Sequence, residues 1–248
     1  MNLTRLPPCL GKSDMNERFS RTETLIGADA MKKLSGAKVA IFGIGGVGGY
    51  VLEALARSGV GSIDIFDPDK VSVSNINRQI IATESSVGQY KVDVAKERAL
   101  SINPSINVMA YKMFFDESTS AELDFSKYDI IIDAIDTVSS KIALILKAER
   151  EGAEIISSMG TGNKLDPTRL EIADIYKTSV CPLARVMRTE LRHRGIKHLK
   201  VLYSKEEPIK RVIEDSESTR HAPASIAFVP AAAGLIIAAE AIKDLIKE

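Results

Sequence analysis

From about residue 37 to residue 160, short apolar runs alternate with segments of helical periodicity. Lys38-Val39-Ala40-Ile41-Phe42 reads as a buried strand. Val47, Val51, Ala54 and Leu55 then share one helical face, closed by Gly59 and Gly61. Ile63-Asp64-Ile65-Phe66 is a second strand. Residues 88–101 form a helix with Val92, Ala95 and Ala99 on one side, stopped by Asn103-Pro104. Residues 107–112 are a third strand and residues 129–133 a fourth. A helix over 137–151 ends at Gly152, and 154–157 is a fifth strand. Such alternation implies a parallel sheet with helices on both faces. Beyond it the pattern loosens. Strands are expected at 170–175 and 200–203, a helix at 182–194, a long mobile loop at 205–223 and a terminal helix at 229–247. The apolar run 226–239 contains Pro230 and is followed by Glu240, so it reads as a buried helix and no stable membrane insertion is expected.

The sharpest local feature is Gly43-Ile44-Gly45-Gly46-Val47-Gly48, a G-x-G-x-x-G that follows a strand and opens a helix. Gly43 suits the tight turn, Gly45 lets backbone approach a phosphate, and Gly48 lets the helix pack on the strand. The helix N-terminus offers free N–H groups to an anion. Asp67 closes the second strand, about 20 residues further on, where a carboxylate meets ribose hydroxyls. Glycines needed only for close packing are the alternative, and the loop does not separate a dinucleotide from a mononucleotide.

Composition narrows the classes. The chain has 248 residues, 45% of them hydrophobic, with 33 Lys+Arg against 33 Asp+Glu. That excludes a disordered chain and a binder that grips nucleic acid by bulk positive charge, and leaves a local basic patch open. Cys9 and Cys181 form no CxxC pair, so neither zinc nor a disulfide framework is expected. Without a signal-peptide core at the front, a cytoplasmic, reducing compartment is expected.

The stretch after Asp67 bears on which nucleotide is bound. Asn75, Arg78, Gln79 and Lys91 can face a crevice at the strand ends, and a triphosphate losing pyrophosphate needs their positive charge more than a two-phosphate bridge does. Asp133 and Asp136 follow the fourth strand, where a carboxylate suits Mg²⁺. A solvated surface pair remains the alternative for Arg78 and Lys91, and helix N-capping for Asp133 and Asp136.

Together, Gly43 to Gly48, Asp67, Asn75-Ile76-Asn77-Arg78-Gln79, Lys91 and Asp133-Ala134-Ile135-Asp136 resemble the ubiquitin-activating-enzyme-like superfamily of ThiF, MoeB and HesA. Arg18-Phe19-Ser20-Arg21 resembles that superfamily's N-terminal Arg-aromatic-x-Arg segment. The resemblance implies an α/β fold of the ThiF/MoeB type: a Rossmann-like, doubly wound, mostly parallel sheet with a C-terminal extension and terminal helix. It implies adenylation of a carboxylate by ATP with Mg²⁺, in a homodimer where Arg21 reaches the neighbouring subunit's phosphates. ATP contacts are implied for Gly43, Gly45, Gly46, Gly48, Asp67, Asn75, Arg78, Gln79, Lys91 and Asp133, and Mg²⁺ for Asp136. The catalytic set is Arg21, Arg78, Lys91 and Asp136.

Asp133-Ala134-Ile135-Asp136-Thr137 with Lys141, the 157–160 loop, Asp166-Pro167-Thr168, Lys177-Thr178, Pro182-Leu183 and Ala227-Phe228-Val229-Pro230 resemble the TcdA branch, the tRNA threonylcarbamoyladenosine dehydratases. That implies a tRNA substrate bearing the modified nucleotide, room for a helper protein of the sulfur-transfer or carrier type, and a monovalent cation as a further cofactor. Cys181 stands where this branch is expected to carry an Asp before Pro-Leu, and its plain reading is a small buried hydrophobe. Residues 1–16 are expected to be a flexible tail. Residues 17–248 are expected to be one domain, with a nucleotide half at 17–165 and a substrate and dimer half at 166–248.

The charge is also unevenly placed. Arg185, Arg188, Arg192, Arg194, Lys197 and Lys200 crowd together, opposed only by Glu190. Arg185, Arg188 and Arg192 share one helical face that can track a phosphate backbone or simply be solvated. The expected function is adenylation and cyclisation of threonylcarbamoyladenosine in tRNA, with loss of water. The rivals are an adenylating enzyme for a ubiquitin-like sulfur carrier, an NAD-dependent oxidoreductase, and a non-catalytic nucleotide-dependent tRNA binder.

Overall fold

The computed structural model describes residues 12–209 and 223–247, with side chains from residue 17 onward. Cys9 and most of the expected 205–223 loop lie outside the described residues. Seven strands form one sheet: β1 Lys38–Phe42, β2 Ser62–Phe66, β3 Asn107–Tyr111, β4 Ile130–Asp133, β5 Ile155–Ser158, β6 Leu170–Asp174 and β7 Lys200–Ser204. Their order is β3-β2-β1-β4-β5-β7-β6. All neighbours pair in parallel except β6 with β7. The β5–β7 pairing joins the two halves expected from sequence into one sheet.

The helices are α1 Lys12–Ile26, α2 Ala28–Gly36, α3 Gly48–Ser58, α4 Lys91–Ile102, α5 Glu117–Ser120, α6 Val138–Glu151, α7 Pro182–His193 and α8 Phe228–Ile246. On one face of the sheet α3, α4 and α8 bury Val51, Leu55, Val92, Ala95, Ala233 and Ile237 against Val39, Ile41, Ile63 and Ile65. On the other face lies an aromatic core in which Phe42 and Phe66 stack with centroids 4.3 Å apart. Because the central strands are covered on both faces, they read as continuous apolar runs. Among the described residues no helix is long and apolar enough to cross a membrane.

Two differences from the sequence reading have physical causes. Helices α1 and α2 precede the first strand, and α1 begins at Lys12, inside the expected tail. The α1 sequence is mostly polar and gives almost no periodic signal. Helix α4 starts at Lys91 because the chain before it is held in a hairpin-like turn. Tyr90 bridges Lys70, and the Lys91 N–H donates to the Asp69 carbonyl at 2.9 Å.

Helix α8 crosses α3 at Gly234. A β-carbon there would lie 2.4 Å from the Val47 carbonyl oxygen and 2.7 Å from the Tyr50 β-carbon. Glu53 of α3 is buried and ties the helix to α4 through Arg98, at 2.6 and 3.1 Å, with Arg57 as its second partner. Burial pushes the Glu53 carboxyl up, but the hydrogen bonds from Arg98 and Arg57 outweigh it and hold it below the usual glutamate range.

Gly234→Ala should therefore destabilise the protein. Alanine gains about 1 kcal/mol in helix propensity, but crowding a packed interface costs about 1–3 kcal/mol, and a lowered denaturant midpoint checks the sign. Because the folded Glu53 value lies below the unfolded one, its stabilisation is present above the ordinary glutamate range and lost as pH falls through the folded value. The stability gap between the parent and Glu53→Gln should thus be widest near neutrality and close in acid, as denaturant titrations at several pH values will read.

Candidate active site

Strand β1 runs into the glycine loop, and the loop into α3. Gly43 has φ +91°, and its N–H donates to the Phe66 carbonyl at 2.8 Å. A β-carbon on Gly43 would stand 2.7 Å from the Ala134 carbonyl oxygen, and one on Gly48 only 1.8 Å from the Gly43 carbonyl oxygen. Strand, helix and the loop after β4 therefore meet backbone to backbone. Gly45 is different: a β-carbon there would meet only Gln79 Nε2, at 3.9 Å. Gly45 and Gly46 face a cavity of about 650 Å³ beside the ends of β1 and β4, where the strand order reverses. Gly43 also lines it; Gly48 does not and serves packing.

Asp67, Asn75, Arg78, Gln79, Lys91 and Asp136 all line this cavity. Asp67 Oδ2 accepts the Ile44 N–H at 2.7 Å and Oδ1 the Asp69 N–H at 2.9 Å. Burial pushes the Asp67 carboxyl up, against the pull of the Lys91 ammonium. A carboxylate has about four acceptor positions, so two are left for a ligand. Lys91 is buried, with Nζ 2.7 Å from Asp69 Oδ2 and 3.7 Å from Asp67 Oδ1, which removes the solvated-surface alternative. Arg78 Nη1 donates to the Ser74 carbonyl and to Asn77 Oδ1, both at 2.9 Å, and its remaining donors have no partner among the described residues. Asn75 Oδ1 accepts the Ser72 N–H at 3.0 Å. Two buried oxygens on the lining residues, Gln79 Oε1 and Ser140 Oγ, have no partner among the described residues.

The fourth strand corrects one expectation. Asp133 does not line the cavity. It is fully buried, 2.8 Å from the Lys141 ammonium, and accepts the Ser157 hydroxyl at 2.6 Å and the Ile135 N–H at 3.2 Å. Its charge is already neutralised inside the protein, so it is a buried anchor and leaves the ligand set. Asp136 is exposed at the cavity edge and, among the described residues, hydrogen-bonds only the Thr137 hydroxyl, at 3.4 Å. Thr137 is the N-cap residue of α6, so capping does not explain Asp136. Among the described residues no cluster of three or more His, Cys, Asp or Glu could hold a metal by itself.

The remaining walls lay outside the sequence reading. Met113, Phe114 and Phe115 follow β3 and form an apolar side next to Phe42 and Phe66. Their only signal is their place just after a strand end on the Asp67 side. Opposite stand Met159, Gly160, Leu183, Pro223 and Pro230. Asn163 clips the two ends of the 209–224 segment there, accepting the Ile209 and Ala224 N–H groups and donating to the Ala224 carbonyl. Asp69, the partner of Lys91, was legible only as the second acid of Asp67-Pro68-Asp69.

Other candidates lie elsewhere. Arg21 is exposed on α1 and lines no part of this cavity. Cys181 is 1% exposed and packs behind the wall with Met187 and Leu191. The basic stripe is smaller than its sequence suggests. Lys200 is bound to Glu240 at 3.1 Å and Asp244 at 2.6 Å, because its strand lies under α8. Arg194 pairs with Glu190 one turn back. Arg188 donates to the Thr178 carbonyl and hydroxyl, and Arg192 lies over the Tyr176 ring. Arg185 and Lys197 are exposed.

Comparison with known proteins follows the same lines. The ThiF family model matches residues 19–248. The tRNA threonylcarbamoyladenosine dehydratase of Bacillus subtilis is 45% identical over 245 residues, which is 94% of this chain and 96% of that one. The protein of that name from Escherichia coli is 39% identical over 71% of this chain and 66% of its own length. Crystal structures of Escherichia coli TcdA in complex with AMP and with ATP match with TM-scores of 0.87 at 31% identity, covering 96% of this chain and 97% of that one. The chain belongs to the ThiF family, in its TcdA branch.

Proposed function

We propose that this protein is an ATP-dependent tRNA threonylcarbamoyladenosine dehydratase. The observation that carries the reading is a cavity over a glycine loop lined by Arg78, Lys91 and Asp136, with neither Cys nor His among its described lining residues. The relatives that bear this name match nearly the whole chain or most of it. The residues fit ATP. Gly45 leaves room for phosphate beside the α3 N-terminus; among the described residues the buried Gln79 Oε1, an acceptor, and Ser140 Oγ, a hydroxyl that can donate or accept, have no partner. Asp67 would hold the ribose, Met113 to Phe115 the base, and Arg78 and Lys91 the phosphates. Lys91 is held in place by Asp67 and Asp69 and retains donor capacity for a phosphate oxygen. Mg²⁺ would sit at Asp136; it keeps waters and phosphate oxygens as its other ligands, so one protein carboxylate suffices.

The substrate is the threonyl carboxylate of the modified nucleotide. A carboxylate oxygen attacks the α-phosphorus, the bond to pyrophosphate breaks, and a mixed anhydride with AMP results. The nucleotide's own carbamoyl group then attacks the activated carbonyl carbon, loses its proton and expels AMP. ATP is thereby split to AMP and pyrophosphate, and the nucleotide loses the elements of water. Ring closure within one molecule carries an effective molarity of about 10⁵–10⁸ M, so no protein nucleophile is needed. Arg78 and Lys91 neutralise the charge that accumulates on the departing phosphates.

The active form is a homodimer in which Arg21 reaches the neighbouring subunit's phosphates. Residues 17–248 form one adenylating domain. tRNA docks along Arg185, Arg188, Arg192 and Lys197; Lys200 drops out because Glu240 and Asp244 hold it under α8, and Arg194 because it pairs with Glu190 on the surface of its own helix. The protein works in the cytosol, with room for a helper protein and a monovalent cation.

Incubation with Mg²⁺, ATP and tRNA carrying threonylcarbamoyladenosine should leave that nucleoside 18 daltons lighter, about one water, on mass spectrometry. Arg78→Ala and Lys91→Ala should each slow the loss by about 10²–10³-fold. Pyrophosphate exchange into ATP that answers only to a small carrier protein would overturn the reading. Arg185→Ala and Lys197→Ala should each weaken tRNA binding across sequences and lower the salt slope by about one; slopes equal to the parent's would remove this face from the RNA path.

A further inference from the structure

We infer that Lys141 is a positioning residue that fixes the Asp136 carboxylate for its cation, an inference that rests on the nucleotide reading above. Lys141 lies on the first turn of α6 and is fully buried. Its ammonium has three donors and three oxygens around it: Asp133 Oδ2 at 2.8 Å, the Ile135 carbonyl at 3.1 Å and the Ser158 carbonyl at 2.8 Å. Its backbone N–H donates to the Thr137 carbonyl at 3.0 Å. The side chain thus ties the residue before Asp136, while the bond to Thr137 is the ordinary i→i−4 bond of the helix. The peptides on either side of Ile135 are both held, since its N–H donates to Asp133 Oδ1 at 3.2 Å and its carbonyl accepts from Lys141. The contact to Ser158 adds the start of the 158–162 loop, which forms the facing wall.

An apolar side chain would fill this site without the cost of taking an ammonium and a carboxylate out of water. What it would not do is hold two carbonyls and a carboxylate at fixed positions. Asp136 itself has no such support among the described residues, being exposed and hydrogen-bonded only to its own neighbour. Exposed carboxylates sample several rotamers, so the direction in which Asp136 faces the cavity depends on how firmly the 134–137 backbone is held. Lys141 supplies that hold from inside the protein and touches neither the cavity nor a ligand.

The double variant Asp133→Asn/Lys141→Met removes the pair without orphaning a buried charge. It is compared with the parent, with Asp136→Asn and with the triple variant. The readouts are thermal midpoint and calorimetric binding of α,β-methylene-ATP, in EDTA and with Mg²⁺. In EDTA the double variant should bind the nucleotide within about twofold of the parent. The gain from Mg²⁺ should fall about tenfold, and the triple variant should be no worse than Asp136→Asn alone, because residues acting through one group are not additive. An unchanged Mg²⁺ gain, or a full further loss on top of Asp136→Asn, would overturn the inference. A parent protein whose nucleotide binding ignores Mg²⁺ would overturn the metal reading and this inference with it. Should the double variant fail to fold, Asp133→Asn/Lys141→Gln takes its place in the same cycle, where a reduced Mg²⁺ gain supports the inference and an unchanged one overturns it.

Discussion

The structure is organised by a contact that leaves no room for a side chain. With the Gly43 carbonyl oxygen 1.8 Å from where a β-carbon on residue 48 would sit, β1 and α3 meet as bare backbone. That closeness aims the N-terminus of α3 at the cavity and brings the Ile44 N–H within 2.7 Å of Asp67. It also sets where α3 lies, and α8 then packs on α3 through Gly234 with equally little tolerance. A helix dipole, a carboxylate and the terminal helix thus take their places from one backbone approach.

Charge is laid out around this frame in two grades. Inside, Asp133 and Lys141 neutralise each other and keep the β4 and β5 ends in register. At the cavity, Lys91 and Arg78 are held by neighbours yet keep donors in reserve, and Asp136 stands open. Anion-binding cations held in advance need little rearrangement when charge moves on a phosphate, which is where such sites gain most of their rate.

Much of this was legible in the sequence because two periodicities coincide with burial. Strands covered on both faces read as apolar runs, and the glycine loop announced the first crossover. The polar helix α1 carries no such pattern, and its start at Lys12 was hidden. Charge was harder still. Asp133 and Asp136 look alike in a sequence, and only the strand end separates them: Asp133 belongs to β4 and is sealed under α6, whereas Asp136 follows it into the open loop. Lys200 counted as part of a basic run, yet its acidic partners Glu240 and Asp244 stand more than a helix away along the chain. Long-range pairing of this kind leaves no trace in local spacing.

The central claim is that this cavity activates a carboxylate by joining it to AMP. The most direct measurement uses tRNA whose threonylcarbamoyladenosine carries ¹⁸O in its carboxylate. After turnover with unlabelled ATP, the account predicts that AMP, isolated and weighed by mass spectrometry, carries one labelled oxygen and pyrophosphate none. Unlabelled AMP, or label found in pyrophosphate or water, would contradict it.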